Sequence, residues 1–343
     1  MIESTPQDIS IAFAPHVRKA LSTQRIMLDV VLGLVPALVV AGLFFRLYGL
    51  LLIGVCVAAC VATESVCNLI RKRPSSVWDF SAVVTGVILA LSLPPALPLW
   101  TAVIGAVFAI AVGKMVFGGL GANIFNPAMI GRAFLTASFG ILMTTWTVPA
   151  TIDAARPAVA PTNDIQDIRT QATPLAWSKV AIKDSNGARI YNERHPLLRG
   201  LFGEEAGSLG ETSAVALLLG GLYLVMRKII TLHIPLAVLL SAFVFAAIAY
   251  LVDPDKYVPP FYHVTSGALL LGAFFIATDP VTAPLTVRGQ WLFGILIGGF
   301  TMLVRLVGEY PEGFMYAVLL ANGVRPLIDR LFQPVPMGGV PNV

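Results

Sequence analysis

The sequence predicts an all-α polytopic membrane protein of about ten transmembrane helices, arranged as two inverted five-helix repeats with short or broken helices. Composition is the first reason. Only 12% of the 343 residues are charged and 57% are hydrophobic, whereas soluble domains carry about 25% charged residues. The net charge is +4 and the basic residues are dispersed, so no positive stripe favours nucleic acid. These figures exclude a disordered chain and disfavour a soluble enzyme.

Apolar segments long enough to span a bilayer are the second reason, since a spanning helix needs about 20 residues. The first half holds Ile26–Phe45, Tyr48–Ile70, Phe80–Leu93, Leu97–Val116 and Ala128–Trp146. The second half holds Ser213–Met226, His233–Leu251, Val264–Ala277, Trp291–Val307 and Phe314–Leu331. The third, sixth and eighth are short, which is typical of tilted or broken helices whose irregular backbone is buried in protein.

The distribution of Lys and Arg predicts the orientation. Eleven basic residues flank the predicted inner ends and three lie near the outer ends, a positive-inside bias. Five regions follow: a cytoplasmic N-terminal segment 1–25, a first membrane half 26–146, an extracytoplasmic loop 147–212, a second membrane half 213–331 and a cytoplasmic tail 332–343.

The two halves look alike. The segments Val84–Trp100 and Val264–Pro284 are both apolar helices with Thr-Gly or Ser-Gly near the start and a proline-rich break at the end. Because each half has five spans, an odd number, the repeats must be inverted relative to each other. Inverted repeats with broken helices are typical of transporters. The alternative is that membrane helices share this composition by chance.

Residues that could hold a metal are few. Cys56, Cys60 and Cys67 lie near one face of a single helix. A metal or iron–sulfur site is one interpretation. Packing is the favoured one, because no second cysteine cluster completes four ligands. The four His residues are scattered, without metal-ligand spacing, so neither metal nor hydrolytic chemistry is predicted.

Polar groups inside the spans are the next candidates, because they are costly in lipid. Asp29, Asn126 and Asp279 are candidate cavity or ion-path residues, with structural hydrogen bonding or ion pairing as the alternative. For Lys114 and Arg132 we expect snorkelling or a phosphate contact at the inner side. The glycine-rich run 118–124 predicts a cavity-lining break, with close helix packing as the alternative.

The outer loop carries the most informative segment, DIQDIRTQATPLAW at residues 164–177. A threonine hydroxyl can be esterified only if it is exposed on flexible backbone. Pro174 keeps Thr173 extended and out of a helix, and Leu175 and Trp177 offer apolar surface for an aromatic ring. Asp167-x-x-Thr170-x-Ala172-Thr173 resembles the flavinylation signature Asp-x-x-(Ser/Thr)-Gly-Ala-Thr, with Gln171 in place of Gly.

The wider chain resembles one family. The run 118–128, the break after Leu93 and the segment 277–284 are similar to stretches of the D subunit of the Rnf electron-transport complex and its sister, the B subunit of the sodium-translocating NADH:quinone reductase. The resemblance covers residues 15–333. It implies FMN joined to Thr173 by a phosphoester, with Asp167, Thr170 and Ala172 recognised by a flavin transferase. It also implies a second, non-covalent flavin (riboflavin), whose residues the sequence does not assign.

The same resemblance implies a function. The chain would be a subunit of a multi-subunit complex in the bacterial inner membrane that moves electrons between reduced ferredoxin and NAD, coupled to Na⁺ or H⁺ movement. It would be an electron relay and not a catalyst alone. Two alternatives stay open: an inverted-repeat channel or secondary transporter for a small solute, and a purely structural membrane anchor.

Overall fold

A computed structural model describes residues 22–146, 173–183, 207–211 and 213–333. Within these ranges the regular elements are helices, with no strand. Asp167, Thr170 and Ala172, together with most of the predicted N-terminal segment, the outer loop and the C-terminal tail, lie outside the described residues.

Among the described residues, six helices precede residue 207. They are α1 Thr23–Ile70, α2 Ser81–Leu91, α3 Leu99–Ile110, α4 Pro127–Ser138, α5 Gly140–Thr144 and α6 Pro174–Lys183. A 3₁₀ turn at Val77–Asp79 precedes α2, and α3 continues into a π-helical turn at Ala111–Met115. The second part contains α7 Ala214–Met226, α8 His233–Val252, α9 Pro260–Thr265, α10 Leu269–Leu271 followed by a π turn at Gly272–Ile276, α11 Val287–Leu306 and α12 Phe314–Leu331.

Three of the described helices are long and apolar enough to cross a membrane: α1, α8 and α11. Helix α1 has 48 residues, about twice the length that a bilayer requires. Its backbone leaves the helical region at Arg46, with φ 51° and ψ −144°. The first two predicted segments therefore meet at a break of one residue, between the boundaries that the sequence predicted.

The segments predicted to be short are short. Helix α2 has 11 residues and α7 has 13, and the eighth segment is divided among α9, α10 and a π turn. The break after α2 is completed by a distant part of the chain, because Leu209 and Gly210 donate their N–H groups to the carbonyls of Leu93 (3.1 Å) and Leu91 (2.7 Å). Such pairing allows non-helical backbone inside an apolar protein.

Helices α1 and α7 cross closely and join the two parts of the chain. A Cβ on Gly220 would lie 1.9 Å from the carbonyl oxygen of Gly33, so these two backbones are nearly in contact, as small residues permit between membrane helices. One end of the crossing holds an ion pair, in which Arg227 donates to Asp29 at 3.2 Å and Tyr223 donates at 3.0 Å.

Candidate functional site

A pocket lies between the two parts of the chain, near their predicted inner end. The walls combine apolar side chains with a set of polar ones. The polar lining residues are Ser81, Thr85, Lys114, Asn123, Asn126, Thr278 and Asp279, and aromatic surface comes from Phe274 and Phe275.

The glycine-rich run forms one wall of this pocket. Gly118, Gly119 and Gly121 have φ angles of 132°, 111° and 91°, which residues other than glycine rarely adopt. The run ends at Asn126, whose side-chain oxygen accepts from the Met129 N–H at 3.3 Å and so begins α4. The Asn123 side-chain oxygen is buried without a hydrogen-bond partner in the described structure. Leu120, Asn123 and Asn126 of this irregular segment line the pocket.

Lys114 projects from the π turn and does not snorkel. It is 1% exposed and donates to Glu64 at 2.8 Å and to the Ser81 hydroxyl at 2.5 Å. Ser76 in turn donates to Glu64. The expectation of snorkelling for Lys114 is wrong, because the neighbouring span offers a buried carboxylate that satisfies the charge in place.

The candidate residues Asp29, Asn126 and Asp279 have different surroundings. Asn126 and Asp279 line the pocket, whereas Asp29 is outside its lining. The Asp279 carboxylate accepts from the Val281 N–H (3.2 Å) and the Thr282 hydroxyl (3.3 Å), and so also holds the turn after the π helix. Asp29 is the partner of Arg227, which favours its structural interpretation.

A second polar cluster lies at the predicted outer end. Arg305 is 1% exposed. It donates to Glu312 at 3.0 Å and to the carbonyls of His263 (2.5 Å) and Ser266 (3.1 Å). Burial raises the pKa of Glu312, but the Arg305 guanidinium and backbone N–H groups outweigh it and hold the pKa below its ordinary value.

Arg132 and Glu211 form a looser pair in the same cluster. Their nearest side-chain atoms are 4.0 Å apart. Burial, followed by the nearby Glu312 charge, raises the pKa of Glu211 above its ordinary value. Arg132 is 5% exposed, so the expectation of snorkelling is wrong here too. Sequence reasoning missed Glu211 and Glu312, although both lie where a predicted span begins.

Thr173 precedes α6, and its hydroxyl oxygen accepts from the Ala176 N–H at 3.1 Å. Thr173 therefore caps the N-terminus of α6 and is not part of the helix, as the proline that follows it predicted. The side chain is only 7% exposed, which differs from the expected exposed hydroxyl. The reason is the packing of α6, because Leu175 is buried and Lys179 donates to the carbonyls of Val304 and Gly308 at the end of α11.

Gly267 is the contact point between α6 and the outer cluster. Its φ is +76°, and a Cβ there would lie 2.5 Å from Leu175, 2.2 Å from Glu312 and 2.7 Å from Arg305. These three side chains therefore converge on one bare backbone position. Thr173, two residues before Leu175, is held close to the charged cluster.

The three cysteines are wholly or partly buried in the helical core. Cys56 and Cys60 are buried, and Cys67 is half-buried. Among the described residues, no group of three or more His, Cys, Asp or Glu side chains is arranged to hold a metal ion.

The fold and these sites define an all-helical membrane protein with polar clusters at both ends of its broken helices. The sequence matches the NQR2, RnfD, RnfE family over residues 10–338, and the chain belongs to this family. It is 44% identical over 324 residues to the D subunit of the Na(+)-translocating ferredoxin:NAD(+) oxidoreductase complex of Acetobacterium woodii, covering 94% of this chain and 93% of that protein.

Two further relatives agree. The D subunit of the proton-translocating ferredoxin:NAD(+) oxidoreductase complex of Clostridium ljungdahlii is 39% identical over 334 residues, with 96% of each chain covered. The D subunit of the ion-translocating oxidoreductase complex of Actinobacillus succinogenes is 38% identical over 341 residues, covering 94% of this chain and 95% of that protein.

Proposed function

We propose that the chain is the D-type subunit of an ion-translocating electron-transport complex. It relays electrons between reduced ferredoxin and NAD⁺, and this transfer is coupled to Na⁺ or H⁺ movement. Membership of the family and the names of three relatives that match over nearly their whole length support this function. The chain acts with the other subunits of the complex and is not a catalyst alone.

The redox group that we propose is FMN, joined to Thr173 through a phosphoester. The observation that carries the proposal is the position of Thr173, the last residue of the signature, as the cap of α6. A phosphate on this hydroxyl would lie at the N-terminus of a 10-residue helix, where free N–H groups and the helix dipole favour an anion. The residues present therefore fit the group, and FMN would supply electron transfer there.

The chain's own residues fix the position of this attachment point. Leu175 packs against Gly267, and Lys179 binds the last carbonyls of α11, so the start of α6 is held against the second half. Because Thr173 is buried once α6 is packed, we infer that the flavin transferase acts before α6 docks. Asp167, Thr170 and Ala172 remain its predicted recognition positions.

We also propose that the inner pocket holds the second, non-covalent flavin, of the riboflavin type. The aromatic surface of Phe274 and Phe275 and the polar groups of Lys114 and Asn123 offer stacking and hydrogen bonds. The unpartnered oxygen of Asn123 supports a polar occupant. Acid extraction of the purified protein should release an unphosphorylated flavin.

The finer architecture, ten helices in two inverted repeats, is supported by a correspondence between the two clusters. Near the end of the fourth predicted span of each half, a buried cation pairs with a carboxylate and contacts the start of the third span. Lys114 does so with Glu64 and Ser81, and Arg305 with Glu312 and the carbonyls near Ser266. The two clusters lie at opposite ends, as inversion requires.

The proposed setting is the bacterial inner membrane, with both termini in the cytoplasm and the 147–212 loop outside. The positive-inside bias supports this orientation. The proposed partners are the other members of the complex, the lipid bilayer and, in maturation, a flavin transferase.

The competing function is a channel or secondary transporter, which the pocket between inverted halves would also suit. Thr173 separates the two, because a transporter has no need for a flavinylated loop.

The test is flavin fluorescence of the denatured protein in a gel, after co-expression with a flavin transferase. Wild-type protein should fluoresce, Thr173→Ala should not, and Thr162→Ala, a loop threonine outside the signature, should match wild type. Thr173→Ser retains a hydroxyl and should recover part of the signal. Fluorescence that survives in Thr173→Ala would refute this attachment site.

A further inference from the structure

The outer cluster contains two buried ion pairs of unequal quality. Glu312 is fully coordinated: Arg305 donates to it at 3.0 and 3.3 Å, the Phe314 N–H at 2.9 Å and the Ala268 N–H at 3.0 Å. A carboxylate that accepts a guanidinium and two backbone N–H groups is held in its ionised form. Glu312 is therefore a fixed charge.

Glu211 has almost none of this support. One of its oxygens accepts a long bond, 3.3 Å, from the Ser208 N–H. The other oxygen is buried with no hydrogen-bond partner in the described structure and lies 4.0 Å from Arg132. Only 9% of the side chain is exposed. Protonation of a buried carboxylate that has an unsatisfied oxygen is favourable, because it removes the buried charge and supplies a hydrogen-bond donor.

The charged groups around Glu211 remain paired when Glu211 itself binds a proton. Arg132 of α4 and Glu312, between α11 and α12, are its charged neighbours, and Arg305 of α11 lies behind Glu312. Ser208 is the nearest polar neighbour on its own segment, and Tyr316 of α12 is close to Arg132. When Glu211 is neutral, Arg132 keeps an attractive neighbour in Glu312. The cluster then changes from net neutral to one positive charge.

This cluster adjoins the residue that we propose as the flavin attachment point. Leu175, two residues after Thr173, converges with Glu312 and Arg305 on Gly267. Negative charge arriving at the start of α6 therefore lies close to this buried cluster of charges, in which electrostatic interactions are weakly screened.

We propose that Glu211 is a proton-binding residue that compensates charge at the Thr173 site. One electron reaches that site from a reduced carrier of a partner subunit, and one proton passes from water at the outer side to the free oxygen of Glu211. The only bond formed in this chain is that O–H bond. The proton returns to water when the electron leaves. This role rests on the proposed flavin at Thr173.

The test is infrared difference spectroscopy on the purified complex, comparing the dithionite-reduced with the oxidised state. Wild type should gain a carbonyl band of a protonated carboxyl group on reduction. Glu211→Gln should lose this band, whereas Glu211→Asp should retain a shifted one. Asp255→Asn, which changes an exposed carboxylate, should match wild type. Proton uptake per electron, measured with a pH indicator, should fall in Glu211→Gln alone.

The outcomes distinguish the role proposed for Glu211 from the flavin attachment at Thr173 on which it rests. A band that persists in Glu211→Gln, or that vanishes only in Glu312→Gln, overturns the role of Glu211 and leaves the flavin proposal intact. A complex with no covalent flavin at Thr173 overturns both. Covalent flavin content measured in each variant shows that the proteins compared are folded and loaded.

Discussion

Replacing Lys114 with Met should destabilise the protein strongly, because it leaves Glu64 charged and buried. The Lys114 ammonium lies 2.8 Å from the Glu64 carboxylate, and the two side chains are 2% and 0% exposed. With an effective dielectric constant of about 20, the attraction at this distance is roughly 6 kcal/mol. Desolvation of both charges offsets much of it, so the expected loss of stability is about 3–5 kcal/mol.

The double variant Glu64→Gln/Lys114→Met isolates the cause. It removes both charges, and Gln retains an acceptor for the Ser76 hydroxyl that contacts Glu64 in the native protein. Since replacing a whole buried pair is often close to neutral, most of the lost stability should return.

The assay is thermal unfolding of the detergent-solubilised protein, with extracted flavin measured in parallel because Lys114 lines the pocket. A single Lys114→Met variant as stable as wild type would refute the reasoning, since it would mean that Glu64 is hydrated or protonated. A double variant as unstable as the single one would show that packing, and not charge, is responsible.

Two further predictions concern helix crossing and pH. Gly220→Ala should destabilise the protein by more than about 2 kcal/mol, because its Cβ would lie 1.9 Å from the Gly33 carbonyl oxygen. Gly54→Ala, with no atom within 4 Å of the new Cβ, should gain about 0.5–1 kcal/mol, and equal effects in thermal unfolding would contradict the close crossing. For Glu312 the folded pKa is lowered, so its stabilisation is present above the ordinary pKa of Glu and is lost as pH falls through the folded value. Below about pH 4, the stability of wild type should therefore fall more steeply with decreasing pH than that of Glu312→Gln. Parallel curves of stability against pH would count against the ion pair.

The helices could be predicted because their signal is local. A run of apolar residues defines a span whatever surrounds it, and the predicted segment Phe314–Leu331 matches α12 to the residue. The eighth segment is short and broken in the structure, as its sequence predicts. The continuous helix through the first two segments differs from the prediction, although the break at Arg46 still separates them at the predicted place.

The polar clusters could be predicted only in part, because a charge in a span does not reveal its partner. The sequence marks Lys114 and Arg132 as costly in lipid, and snorkelling is the simplest local answer. In the structure each charge is instead paired with a buried carboxylate, which lies 50 residues away in sequence for Lys114 and 79 residues away for Arg132. Only tertiary contacts bring these pairs together, and no periodicity in the sequence records them.

The segment that completes the broken third span also carries the charge cluster, and this links two features that the sequence presents separately. Leu209 and Gly210 bind the free carbonyls after α2, and Glu211 is the next residue. The backbone is tightly packed at this point, because a Cβ on Gly210 would lie 2.9 Å from the Cβ of Leu91. The charge of Glu211 therefore lies next to the residues that close the broken end of α2, whose other end lines the inner pocket through Ser81 and Thr85. The short helix therefore connects the segment that carries the outer charge cluster with the proposed second flavin site.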